Sequence, residues 1–202
     1  VFSNMKKIIF LALFSLIVSL NTSYSYNSDP KTFIDELVND ALKILADKSI
    51  TQEDKKNRIE IIAKDNVDIK GIGLYTLGSA RKNLSQETLN DFNSVFEVYF
   101  LKNLTARLSD YSSQKFETLE AEQKSALYTI VKSRISGGKD IPEIIIDWRI
   151  YTKNPEKPLI RDLIVEGLSL ARTQREEFNS ILISNNNDIY LLIEKLKEFN
   201  TN

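Results

Sequence analysis

The stretch SQETLNDFNSVFEVYFLKNLTARLSDY, residues 85–111, decides how the rest of the chain can be arranged. Its large apolar side chains recur mostly at intervals of three or four residues, which places them on one face of an α-helix. Ser85 is a suitable N-cap, and neither glycine nor proline interrupts the run. The pattern predicts a long helix whose aromatic face either packs into a core or lines a cavity for an apolar ligand. The side chains on this face are Leu89, Phe92, Phe96, Tyr99, Phe100, Leu104, Leu108 and Tyr111.

The composition excludes several classes of function. The 202 residues include 27 Lys and Arg against 28 Asp and Glu, and the cations are scattered, so we expect no nucleic-acid partner. The chain has no cysteine and no histidine, which excludes disulfides, thiolate or histidine metal sites, and a histidine base. Chemistry by carboxylates, lysines or tyrosines remains open, but no catalytic residue, metal or cofactor is predicted.

The first 25 residues have the order of a secretory signal peptide. Two lysines precede an apolar run at residues 8–20, and Ser23 and Ser25 supply the small residues that signal peptidase requires. The run is short for a membrane-spanning helix, although an uncleaved anchor is the alternative interpretation. We expect cleavage after Ser25 and export of the mature chain.

The domain boundaries follow from this interpretation. Residues 1–4 are expected to lie upstream of the true start at Met5. Residues 26–202 are expected to form a single domain, because this length suffices for one apolar core.

The apolar period separates a helical half from a sheet half. Three helices are predicted before residue 85, capped by Asp29, Thr51 and Asp68. After residue 111 the period changes to two, which is typical of strands, and two further helices follow. Short turns between the strands favour an antiparallel meander, so the predicted fold is α+β with a four-stranded sheet packed against several helices. The predicted strands are 115–119, 127–135, 143–151 and 159–166.

Two local patterns refine this arrangement. Gly71, Gly73 and Gly78 imitate a dinucleotide-binding fingerprint, but no strand precedes them, so close helix packing is the better explanation. In the third strand Ile144, Ile146 and Trp148 share one face and Asp147 lies on the other. We expect the apolar face of this strand to meet the aromatic face of the long helix around an apolar cavity.

Two groups of residues carry a resemblance to a known family. The first group is Leu77, Gly78, Arg81, Ser85, Phe92, Phe96, Tyr99 and Tyr111. The second is Ile146 through Ile150, then Asp162, Val165, Glu166, Gly167, Leu168, Ser169, Leu170, Arg175, Phe178 and Leu192 through Leu196. Together they resemble the MlaC or toluene-tolerance auxiliary family of periplasmic phospholipid-binding proteins. One departure is visible, since the family usually has a tryptophan where this chain has Pro158 and Leu159.

The resemblance implies a periplasmic shuttle that needs no cofactor and carries a phospholipid as its ligand. The acyl chains would lie in a cavity between sheet and helices, with the head group at its mouth. The implied partners are an outer-membrane lipoprotein–porin complex and an inner-membrane ABC transporter complex with an MCE-domain subunit, which together maintain outer-membrane lipid asymmetry. The residues that we expect to line the cavity are Leu77, Phe92, Phe96, Tyr99, Phe100, Leu104, Tyr111, Ile130, Ile144, Ile146, Trp148 and Val165.

Two alternatives remain at this stage. One is a small exported α+β enzyme that uses Asp147 or Asp162 as an acid or base beside a tyrosine. The other is a chaperone-like interaction protein. For Asp162 a structural role is favoured, as the partner of an arginine such as Arg175 or as the cap of a turn, and we expect at least one of these two charges to be partly buried and paired. Lipid that co-purifies with the protein would distinguish a carrier from both alternatives.

Overall fold

Six α-helices and five strands form the described part of the chain. The computed structural model describes residues 26–108, 115–136 and 142–201. None of the helices in these ranges is long and apolar enough to cross a membrane. In chain order the helices are α1 (Pro30–Ala46), α2 (Gln52–Asn66), α3 (Ile69–Thr76), α4 (Gln86–Leu108), α5 (Leu170–Ser184) and α6 (Ile189–Thr201), with a 3-10 turn at Ala80–Asn83 between α3 and α4.

The helices begin where the sequence supplies caps. The Asp29 carboxylate accepts a hydrogen bond from the backbone N–H of Thr32 at 2.9 Å, which satisfies one of the free donors at the start of α1. Thr51 and Asp54 form a reciprocal capping box at the start of α2. Asp68 accepts from the backbone N–H of Gly71 at the start of α3. The three predicted N-caps are therefore confirmed.

The sheet is an antiparallel meander in the order β1-β2-β3-β4-β5. The predicted four strands are present and the α+β class is confirmed, but the number is corrected from four to five. The fifth strand has only two residues, too few for a period of two to reveal it. It folds back on β4 through a turn at Glu166 and Gly167, both of which have positive φ. The strands are β1 (Lys115–Ser125), β2 (Tyr128–Ser136), β3 (Ile144–Tyr151), β4 (Leu159–Val165) and β5 (Leu168–Ser169).

One face of the sheet, the inner face, is covered by α1 and α2. Thr118 of β1 donates a hydrogen bond to Asp35 of α1 at 3.2 Å, which ties the helix to the sheet. The buried apolar residues between these elements form the sheet core. They are Phe33, Ile34, Leu37, Ile44, Ile59, Ile62, Val131, Ile146, Trp148, Ile150 and Ile160.

A second group of buried apolar residues, the helical core, joins α3, α4, α5 and α6. Phe92 of α4 packs against Phe96 of the same helix and against Phe178 of α5, with ring centroids 5.6 and 6.3 Å apart. Gly73 of α3 lies so close to Phe96 that a Cβ there would be 2.8 Å from its ring, as the prediction of close helix packing requires. The helical core comprises Ala63, Ile69, Ile72, Leu77, Phe92, Phe96, Leu101, Ala171, Phe178, Leu182, Ile189, Leu192, Ile193 and Leu196.

The arrangement differs from the sequence prediction in what the aromatic face of α4 touches. Most of that face packs against helices, whereas Leu108 at its end packs against the sheet core, and the two cores are separate groups. The reason is that α5 and α6, which follow the sheet in the chain, present their own apolar faces to α4. Val67, between α2 and α3, contacts both cores and forms an isolated parallel bridge with Ile160 of β4.

Candidate functional site

The inner face of the sheet is closed at one end and partly open at the other. At the closed end Val131 and Ile150 are fully buried and Ile160 is 5% exposed. Toward the other end of β3, Trp148 and Ile146 are each 9% exposed and Ile144 is half-buried. Burial therefore decreases along the strand from Ile150 to Ile144.

Half-buried apolar side chains line the partly open end, and we call them the apolar mouth. Phe116, Ile135 and Ile144 form one row across three strands, because they are successive register partners. Val165 and Leu163 continue the surface on β4, opposite Ile146 and Trp148. The apolar mouth consists of Leu108, Phe116, Ile135, Ile144, Leu163 and Val165, all packed against the sheet core.

The polar groups of the neighbouring inner face are satisfied by one another. Trp148 donates its Nε1–H to Ser133 Oγ at 2.8 Å, and Ser133 in turn donates to the backbone carbonyl of Ile146 at 3.2 Å. A buried polar group that lacked a partner would raise the free-energy cost of removing water from this surface. With these groups paired, the surface that remains for a ligand is hydrocarbon.

The outer face of the sheet carries a different feature, a cleft of about 740 Å³ between β1–β4 and the helices α3 and α5, which we call the outer cleft. Apolar side chains lie on both walls of the outer cleft, but charged side chains dominate its sheet wall. The lining residues are Gly71, Ile72, Tyr75, Arg81, Glu120, Glu122, Lys124, Ser125, Tyr128, Ile130, Lys132, Asp147, Arg149, Arg161, Asp162, Ile164 and Ala171.

Arg161 fixes one end of the outer cleft. Its guanidinium donates to Asp68, the N-cap of α3, at 2.6 Å and to the hydroxyl of Tyr128 at 2.8 Å, and it stacks on the ring of Tyr151 at 3.5 Å. Burial opposes the charge of Arg161, but its hydrogen bonds to Tyr128 and Asp68 outweigh this and raise its pKa. Arg161 therefore serves as a structural brace between β4 and α3.

Asp162 has a structural role at the start of α5. It is 4% exposed, and its two oxygens accept hydrogen bonds from Ser169 Oγ at 2.6 Å and from the backbone N–H of Ala171 at 3.0 Å. Arg149 lies 3.6 Å away as its ionic partner. The expectation that at least one of Asp162 and Arg175 is partly buried and paired is confirmed for Asp162, although its arginine is Arg149 and not Arg175. These contacts occupy the carboxylate that was the strongest candidate for an acid or base.

The structure divides the residues expected to line the cavity between the two faces of the sheet and the helical core. Ile144, Ile146, Trp148 and Val165 lie together on the inner face, whereas Ile130 lies on the outer face and lines the outer cleft. Tyr111 lies outside the described residues. The remaining six belong to or pack against the helical core, and they are Leu77, Phe92, Phe96, Tyr99, Phe100 and Leu104.

Four residues of the apolar mouth are absent from the set expected to line the cavity, namely Leu108, Phe116, Ile135 and Leu163, although Leu108 lies on the apolar face predicted for the long helix. Phe116 and Ile135 each lie within a predicted strand at alternate positions to polar residues, which was the available signal. Their strand partners became visible only with the register of β1, β2 and β3.

Comparison with known proteins connects this architecture to a family. The family model described as MlaC protein matches residues 35–198 of the chain. No curated protein sequence matches this chain. Among solved structures, the fold is similar to that of a phospholipid-binding protein from Ralstonia solanacearum, solved in complex with a phospholipid. The TM-score is 0.69 at 16% identity, over 83% of this chain and 94% of that chain, a likeness that concerns the fold.

Proposed function

The chain belongs to the MlaC family, and from this premise we propose that it is a phospholipid carrier whose inner face receives the acyl chains through the apolar mouth. The observation that carries the proposal is the graded burial of the inner face, from Ile150 at the closed end to Ile144 at the open end. A surface of this kind is dry and hydrocarbon at depth and accessible at one side. It suits an extended apolar chain attached to a polar group that stays in water.

The energetics favour a carrier of this design. Each methylene moved from water to an apolar surface contributes about 0.8 kcal/mol, so a lipid with long acyl chains does not leave a membrane at a useful rate unaided. A protein that covers the chains lowers this barrier and needs no catalytic group. The family and the phospholipid-bound neighbour support binding and transport in preference to catalysis.

The wider role that we propose is that of a periplasmic shuttle. The mature chain, cleaved after Ser25, would pass phospholipid between an outer-membrane lipoprotein–porin complex and an inner-membrane ABC transporter complex with an MCE-domain subunit. The support for this role is the family membership together with the order of residues 1–25, which is that of an export signal.

The proposal is tested by mass spectrometry of lipid extracted from protein that has been gently purified from its own host. We expect phospholipid in a fixed molar ratio to the folded protein. An extract without phospholipid, from protein with a cooperative thermal transition, would refute the carrier.

A matched pair of substitutions locates the lipid. Ile144→Trp adds bulk at the apolar mouth, whereas Leu104→Trp adds similar bulk beside the helical core. Each can cost about 1–3 kcal/mol of stability through overpacking. We expect only Ile144→Trp to reduce the lipid recovered per folded molecule. Equal loss in both variants, or loss in Leu104→Trp alone, would place the acyl chains elsewhere.

A further inference from the structure

The cations that line the outer cleft differ in whether they have an acidic partner. Four of them form ion pairs: Lys124 with Glu122, Lys132 with Glu120 at 3.2 Å, Arg149 with Asp162 at 3.6 Å and Arg161 with Asp68 at 2.6 Å. The fifth, Arg81, is exposed and has no carboxylate at ion-pair distance in the part of the chain that the structure describes. Its charge is therefore not neutralised by any carboxylate of the described residues.

A second arginine without an acidic partner among the described residues lies against the same turn. Arg81 donates one Nη1–H to the carbonyl of Leu74 at 3.1 Å, and the guanidinium of Arg175 lies 5.0 Å from the centre of the neighbouring Tyr75 ring. Gly78, at φ +56°, lets Arg175 approach, since a Cβ there would be 3.1 Å from its Nε. Two exposed guanidinium groups thus flank the last turn of α3, beside the outer cleft.

We infer that Arg81 and Arg175, the arginine pair, bind a phosphate group at the helical rim of the outer cleft. A guanidinium carries five N–H donors in a planar fork that matches phosphate oxygens. Arg81 donates one of these N–H groups to the carbonyl of Leu74. Stacking on Tyr75 holds the second guanidinium in place without neutralising it. Both guanidinium groups therefore keep free N–H donors beside the segment 74–78.

The ligand chemistry is that of a phosphate ester, either the head group of a lipid in a membrane surface or a soluble phosphate. The site lies on the opposite side of the sheet from the apolar mouth, so a lipid held by its acyl chains on the inner face does not occupy it. The inference therefore adds to the proposed function without resting on it. Recovery of bound lipid, which tests the carrier, does not require the arginine pair.

The test is sedimentation with phosphatidylcholine vesicles that contain or lack phosphatidylglycerol, at low salt, using the mature chain. The decisive variant is Arg81→Gln, and the matched control is Lys82→Gln, which removes the same charge from the adjacent exposed position outside the cleft lining. We expect Arg81→Gln to weaken binding to the anionic vesicles by about fivefold or more, the factor that one basic group contributes near an anionic surface, and Lys82→Gln to weaken it less. Arg81→Lys should also weaken binding, because an ammonium group does not reproduce the planar fork of the guanidinium.

Three results would overturn the inference. The first is that the wild type binds neither anionic vesicles nor glycerol phosphate, whereas binding of glycerol phosphate alone would identify a soluble phosphate as the ligand. The second is an equal loss in Lys82→Gln, which would indicate diffuse charge. The third is that glycerol phosphate displaces the wild type no better than sodium chloride at equal ionic strength. The vesicle binding of Arg175→Gln is interpreted only if its melting temperature matches that of the wild type. The test therefore depends on Arg81→Gln, which lies at an exposed position.

Discussion

The helical core and the sheet core bury similar kinds of residues but end differently. In the helical core the rings of Phe92, Phe96 and Phe178 contact one another, and the first two are at most 1% exposed. In the sheet core, burial declines along β3 toward Ile144. One region is therefore fully packed, whereas the other has an apolar surface with an accessible end. Substitutions that lower the free energy of unfolding should therefore differ from those that reduce the amount of bound lipid.

The largest expected effect is on the helical core. Phe96→Ala removes a fully buried ring that packs on Gly73 and Phe178, and should lower the free energy of unfolding by about 3–5 kcal/mol. Urea denaturation measures this change. The molecules that remain folded should keep their full lipid content. Lipid loss in proportion to the stability change would break the distinction between the two cores.

A smaller effect is expected on the inner face. Trp148→Phe removes part of a ring and the hydrogen bond to Ser133, and should cost about 1–2 kcal/mol. Because Ser133 still donates to the carbonyl of Ile146, it keeps one partner. We expect the enlarged inner face to hold at least as much lipid as the wild type. A variant that lost its lipid at unchanged stability would show that Trp148 contacts the ligand through more than its volume.

The sequence anticipates local features better than the partners of each element. The alternation of Ile144, Ile146 and Trp148 predicted which face of β3 is buried, because the side chains of a strand alternate between its faces. The period of α4 equally predicted an apolar face. It carried no information on whether that face meets a sheet or other helices, so Phe92 and Phe96 were expected beside a sheet that they do not join.

The outer cleft was not predicted from the sequence for a related reason. Lys132 and Glu120 are neighbours only because β1 and β2 pair in one register, which includes an irregularity between Thr118 and Glu120. A shift of one residue would have placed these charges on the opposite face. Ile130, which was expected in an apolar cavity, lies on this charged face because side chains alternate along β2, which places Ile130 on the same face as Lys132, and Val131 on the inner face.

The N-cap of α1 provides a pH-dependent test of the helix that covers the inner face. The backbone N–H and the hydroxyl of Thr32 bond to the Asp29 carboxylate and hold its pKa below the usual 3.8. Asp29→Ala should cost about 1 kcal/mol at neutral pH. A carboxyl whose pKa falls on folding stabilises the protein above its usual pKa, and this contribution is lost as the pH falls through the lowered value. The gap between wild type and variant in urea denaturation should therefore narrow below about pH 3.8. A gap that widened on acidification would contradict this assignment.

The smallest effect is expected for the ion pair that links the two regions at the surface. Lys64 of α2 lies 3.3 Å from Glu97 of α4, and both side chains are about half exposed. Lys64→Gln should change the free energy of unfolding by less than about 0.5 kcal/mol, because exposed pairs are screened by water and salt. Glu97→Gln is the matched control and should behave alike. A change above 1 kcal/mol in either variant would mean that the two cores are coupled through this pair.

The bridge between Val67 and Ile160 has a consequence for the order in which the protein can be built. Asp68 and Arg161, which join the same two segments, are 93 residues apart in the chain. During synthesis from the N-terminus, α1 and α2 are complete long before β4 exists, so Phe33 and Ile59 have no finished sheet to cover. A nascent chain that ends before residue 160 exposes the apolar side chains of α1 and α2 to chaperones and proteases. The sheet core that we propose to hold lipid thus cannot close before β4 has been synthesised.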